Sequence, residues 1–115
     1  MTSDTIYTLS MADLRALPDV VLERLIWEAQ HPPGAMPRWG YPPVARDLNA
    51  AWGLVRGLDW TLQPGEQGAD HIAIIERGTP NEYDYMCVEE VAETPARALA
   101  LAWCAWWKRG DGKEE

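Results

Sequence analysis

A chain of 115 residues, 47% of them apolar, is long enough to bury one core and too apolar to be broadly disordered. Its net charge of −8 excludes a generic grip on DNA, RNA or an anionic membrane, each of which needs a basic footprint, but still allows a small phosphate ligand held by two or three local arginines. Seven tryptophans and no phenylalanine favour core edges, interfaces and stacking surfaces, because each indole pairs a large apolar area with an N–H that wants a partner.

In chain order, residues 1–9 read as a loose or short extended lead-in. Ser10 with Asp13 three residues later is a capping signal that opens a short turn through Leu17. Pro18 then starts a helix over 19–30, in which Val21, Leu22, Leu25, Ile26 and Ala29 recur at helical spacing, with Glu23, Arg24 and Glu28 on the open face. The next thirteen residues, HPPGAMPRWGYPP (31–43), hold five prolines and two glycines and predict an ordered loop or extended arm. Arg38, Trp39 and Tyr41 on this arm are the leading exposed candidates, the alternative being that the two rings simply lid the core.

Asp47 is placed to cap a second helix whose Leu48, Ala51, Trp52 and Val55 fall on one predicted buried face, and Gly57 ends it. Alternation of Leu58, Trp60 and Leu62 with polar residues marks a first strand over 58–62; 71–77 and 82–88 follow as second and third strands. Short connections between the three imply an antiparallel meander. Thr94-Pro95 opens a closing helix over 95–109, stopped by Gly110 and apolar nearly all round, which requires either a sandwiched position or a subunit contact. The expected fold is therefore α+β, a three-stranded antiparallel sheet packed by helices in the order α-α-β-β-β-α.

Chemistry-bearing patterns are few. Neither a nucleophile elbow, nor a phosphate-binding glycine loop, nor a zinc-protease helix, nor a calcium loop is present. His31 and His71 have no neighbour at metal spacing and read as structural or solvated. Cys87 and Cys104, in neither a CxxC nor a Cys/His spacing, read as reduced buried thiols. The N-terminus lacks the basic start and apolar run of a signal peptide, and no stretch reaches membrane-spanning length, so a cytoplasmic location is expected. Five carboxylates between Glu82 and Glu93, with no Lys or Arg among them, form an acidic run; part of it precedes the closing helix, whose dipole favours negative charge there.

The segments YPPVARDLNAAWGLV and AETPARALALAW, through Tyr41, Pro42, Asp47, Ala50, Ala51, Trp52, Glu93, Thr94, Pro95 and Ala98, resemble the phage ABA-sandwich family of small tailed-phage accessory proteins. The resemblance spans roughly residues 19–107 and departs from the family in the extra tryptophans of the last helix and in the missing serine before Asp47. It implies a three-stranded antiparallel sheet with helices on its faces, encoded by a phage or prophage and active in the cytoplasm of the host, and it carries over no catalytic residue, cofactor or metal.

Three functions are weighed. In the first, a non-enzymatic accessory protein acts by binding, in one version sequestering a nucleotide signal of a host defence system: Arg38 and Arg46 face phosphates while Trp39, Tyr41 or Trp52 stacks on a base. The second is a protein-interaction module, in which Glu82, Asp84, Glu89 and Glu90 meet a basic host surface or imitate nucleic acid, and Trp103, Trp106 and Trp107 build a homo-oligomer. A third, a small hydrolase using Glu82 with Asp84, is the weakest, since carboxylates two apart on a strand usually make a wet face. The expected partners are thus a small nucleotide ligand or a host defence protein and a second copy of the chain, with no direct nucleic acid and no membrane.

Overall fold

In the computed structural model of the chain, residues 5–32, 34–65, 70–78, 81, 83 and 85–111 are described. Four helices and three strands follow in the order α1 (Met11–Arg15), α2 (Asp19–Gln30), α3 (Leu48–Leu54), β1 (Asp59–Pro64), β2 (His71–Arg77), β3 (Met86–Ala92) and α4 (Pro95–Asp111). The strands form one antiparallel sheet in the order β1-β2-β3. This is the expected α+β fold with the expected order of elements, except that the short turn expected after Ser10 is a five-residue helix, α1.

Local chemistry explains the element starts. The Ser10 hydroxyl accepts from the Asp13 amide, the Asp13 carboxylate accepts from the Ser10 amide, and this reciprocal box opens α1. Pro18 precedes α2, Asp47 caps α3 by accepting from the Asn49 amide, and Thr94 caps α4 through the Arg97 amide. After α3 the chain turns at Gly57 with φ +87°, a left-handed conformation that side chains with a Cβ resist.

Helix α4 is the centre of the molecule. Ala96 and every residue from Ala98 to Ala105 are buried, and the helix packs against β2 and β3 and, away from the sheet, against α3. Five of those buried positions are alanine (Ala96, Ala98, Ala100, Ala102, Ala105), which lets backbone approach backbone on both sides. The all-round apolar character is thus explained by a sandwiched helix. Leu99 and Leu101, fully buried here, contribute roughly 1.5–3 kcal/mol each through burial.

Pairing of Trp60 with Ile75, Leu62 with Ala73, Ile75 with Val88 and Ala73 with Glu90 sets which side chains share the face toward α4. The opposite face carries Asp59, Thr61, Gln63, Ile72, Ile74, Glu76, Cys87, Glu89 and Val91, none of them buried. Among the described residues the helices therefore gather on one face of the sheet and none covers the other, where the sequence resemblance implied helices on its faces.

Several expectations change. The third strand is Met86–Ala92 rather than 82–88, so its register places Glu90 inward. Thr5–Leu9 is a turn rather than a loose lead: Ile6 is in the core, and the Lys108 ammonium donates to the carbonyls of Ile6 (2.6 Å) and Leu9 (2.7 Å). Helix α4 continues through Gly110 to Asp111. In α3, Ala51 and Val55 are buried and Ala50 and Leu54 half-buried, whereas Leu48 and Trp52 lie on the exposed flank, Trp52 57% exposed. A seven-residue helix resting on α4 through small side chains presents a narrow strip, and the strip is centred one side of Trp52. Glu23 is also misplaced by periodicity alone, being 1% exposed.

Candidate functional site

The arm that joins α2 to α3 is held at both ends. At its start, Trp27 in the last turn of α2 stacks on the C-cap residue His31 at 3.8 Å with an interplanar angle of 13°, and Tyr41 meets Trp27 edge-on at 5.8 Å. His31 Nδ1 lies 2.8 Å from the Trp27 carbonyl; a carbonyl only accepts, so Nδ1 carries a proton, and in the tautomer this selects Nε2 is the acceptor.

At the far end the buried Glu23 carboxylate accepts from the Ala45 amide (3.1 Å) and, in a fork, from Arg46 Nε (3.0 Å) and Nη2 (2.7 Å). Val44 and Ala45 are buried, so the Ala45 N–H needs an acceptor within the protein, and Glu23 supplies it. The Arg46 hydrogen bonds to Glu23 and that carboxylate's charge raise the Arg46 pKa above its already high value.

Between the two anchors the arm displays its side chains. Trp39 is 90% exposed, Met36 and Arg38 are exposed, and Arg38 forms no ion pair among the described residues. A cavity of about 340 Å³ opens where the arm leaves α2, lined by Thr5, Glu28, His31, Pro32, Ala35 and Met36 among others. Sequence reasoning passed over Glu28 and His31; the signal was a carboxylate and an imidazole three apart at the end of a helix that runs straight into prolines.

The candidates read from sequence separate as follows. Trp39 does not lid the core, whereas Tyr41 is half-buried against Trp27. Arg46 is committed to Glu23 and is not a free guanidinium for phosphate. Of the acidic run, Glu89 and Glu93 are exposed, but Glu90 is 5% exposed and held in a bidentate pair by Arg15, with both contacts at 2.8 Å; Glu82 and Asp84 lie outside the described residues. Glu90 is therefore a ligand for Arg15 and not part of an acidic docking surface. Trp103 is buried and stacks on Trp107 at 4.8 Å, so it is a core residue and not a subunit contact; Trp106 and Trp107 are half-buried, with the Arg77 guanidinium 6.0 Å from the Trp106 ring centre.

Elsewhere, Arg97 joins three elements by pairing with Asp19 and donating to the carbonyls of Arg15 (2.9 Å) and Leu17 (2.7 Å). Both cysteines are free; Cys104 is buried, and that burial pushes its thiol up to about 12, which keeps it protonated and unreactive at neutral pH, while Cys87 is only half-buried on the open sheet face. The Tyr85 hydroxyl donates to Glu76 at 2.7 Å on that same face, which raises the phenol pKa. Among the described residues there is no group of three or more His, Cys, Asp or Glu that could hold a metal ion, and no helix is long and apolar enough to cross a membrane.

Compared with known proteins, the chain matches no family model, no curated protein and no solved structure.

Proposed function

We propose that this protein acts by binding rather than by catalysis, and that the proline-rich arm 31–43 is its binding element. The observation that carries the reading is a tryptophan left 90% in solvent, beside an arginine with no ion pair among the described residues, on a segment anchored at both ends. Proline limits the freedom the arm can lose on binding, and a large aromatic ring kept wet in the free protein favours a contact that covers it. In its most specific form, with the phage-like motifs taken into account, the protein is an accessory factor that sequesters a small signalling molecule in a host cell. The nucleotide version now rests on Arg38 and Trp39, because Arg46 is bound to Glu23.

Native mass spectrometry of protein recovered from expressing cells tests the reading. A small molecule is expected to co-purify and to be lost in Trp39→Ala, whose thermal stability stays within about 0.5 kcal/mol of the parent because the ring is exposed. A parent protein that flies bare, and gives no heat with cyclic or ADP-ribose-type nucleotides, counts against it.

A second reading, a protein-interaction module, draws support from the open sheet face. Ile72, Ile74 and Val91 lie side by side there with Asp59, Glu76 and Glu89 around them and, among the described strand residues, no Lys or Arg on the same face. By charge, the occupant is a basic amphipathic segment of a partner protein. Such a partner, once identified, should bind the parent in a salt-sensitive manner and lose affinity by at least about tenfold with Ile74→Asp. Unchanged affinity with a folded variant would exclude this face.

A further inference from the structure

The cavity at the root of the arm has a consistent electrostatic sign. Glu28 contributes a carboxylate and His31 an imidazole Nε2 acceptor, since Nδ1 is spent on the Trp27 carbonyl. The cavity also sits at the C-terminal end of α2, a twelve-residue helix whose dipole places partial negative charge there, with no basic residue in the last turn to offset it. No Lys or Arg is found among the described lining residues. Pro32, Ala35 and Met36 add an apolar wall, and about 340 Å³ is the lower end of the size that takes a small organic molecule.

From this geometry we propose that the cavity is a binding site for a small organic cation, a primary ammonium or amidinium group on a compact apolar body. The cationic N–H groups donate to Glu28 and to His31 Nε2, and the body lies against Pro32, Ala35 and Met36. Among the described residues the cation paired with Glu28 is Arg24, whose Nε stands 3.9 Å from it across one helical turn; both side chains are about half exposed, so the contact is loose and a ligand can replace it. The cavity lies at the root of the arm and is lined by neither Arg38 nor Trp39, so the proposal goes beyond the reading of the arm and adds a second site to it. It also differs from the nucleotide version, because an anion would meet the carboxylate and the helix C-terminus with the wrong sign.

The test uses the full chain, labelled with nitrogen-15, and titrations with benzylamine and benzamidine, with benzyl alcohol and benzoate as neutral and anionic controls and AMP as a nucleotide. Benzylamine or benzamidine is expected to shift the amides of Glu28, His31, Ala35 and Met36 and the Trp27 indole signal saturably, while benzyl alcohol and benzoate do not. Glu28→Gln, at an exposed position that leaves the fold intact, should weaken the cation about tenfold, the loss of one charged hydrogen bond. Arg24→Gln, which removes the competing guanidinium, should tighten it. Shifts with AMP or benzoate and none with the cations would overturn the cation assignment while leaving the arm as a binding element. Cation binding that Glu28→Gln does not weaken would overturn it too. No shift with any probe removes the cation site, and the arm is then judged by the co-purification result alone.

Discussion

Trp103→Ala is expected to lower the stability of the protein by about 3–5 kcal/mol, the range for a large aromatic removed from a close-packed core. The indole is buried at the middle of α4, stacked on Trp107, and α4 is itself enclosed by the sheet and by α3, so little can collapse into the space left behind. For a domain of this size the midpoint of thermal unfolding should fall by more than about 10 °C. Trp106→Ala, at a half-buried position near Arg77, should fall by much less. Thermal denaturation followed by circular dichroism separates the two, and a Trp103→Ala midpoint within a degree or two of the parent would mean that the indole does not pack as described. The comparison also distinguishes a core tryptophan from an interface one, since loss of an interface residue leaves an isolated subunit's stability nearly unchanged.

The second large effect is expected at Glu23. Glu23→Ala removes the acceptor of the Ala45 amide, frees Arg46 and leaves a hole at a buried position, and should destabilise the protein by about 2–4 kcal/mol. The damage should be local first. Hydrogen exchange at Ala45 and along residues 41–47 should speed up at temperatures where β2 and α4 remain protected. If the Ala45 amide stays protected in the variant, its partner is another group and the anchoring of the arm has been misread. Because the arm keeps its shape through this anchor and through the contact of Tyr41 with Trp27, Glu23→Ala should also weaken any ligand held by the arm without touching a contact residue.

Elements and their order were legible because each is announced by neighbours in the chain. The Ser10–Asp13 box, Pro18 before α2, Asp47 before α3 and Thr94-Pro95 before α4 act within a few residues, and the structure places helix starts at all four. The alternation that marked β1 and β2 likewise depends only on a half-buried strand having two faces. The third strand was missed by four residues because Tyr83 and Tyr85 have strand-like chemistry, yet pairing with β2 begins only at Met86, opposite Arg77. Strand boundaries are set by the partner, and the partner is not encoded locally.

The candidate site was half legible. Proline and glycine density picked out the arm, and Trp39 stands in solvent as a binding residue would. Arg46 looked equally available, but its partner Glu23 lies 23 residues earlier in the chain, on α2. Glu90 looked like one more solvated acid until the register turned it inward to Arg15, seventy-five residues away. Trp52 looked buried because helical periodicity shows that one face is apolar, not how much of it a neighbour covers.

By itself, then, the chain determined its class, its sequence of helices and strands, and the stretch that cannot be regular structure, since capping, alternation and proline's missing N–H act over one to five residues. Only the tertiary structure decided that α4 is enclosed rather than exposed, that two glutamates are buried against arginines, and that one sheet face is left open. The reason is physical: burial and ion pairing depend on which surfaces meet, and those surfaces are brought together by segments far apart in the chain.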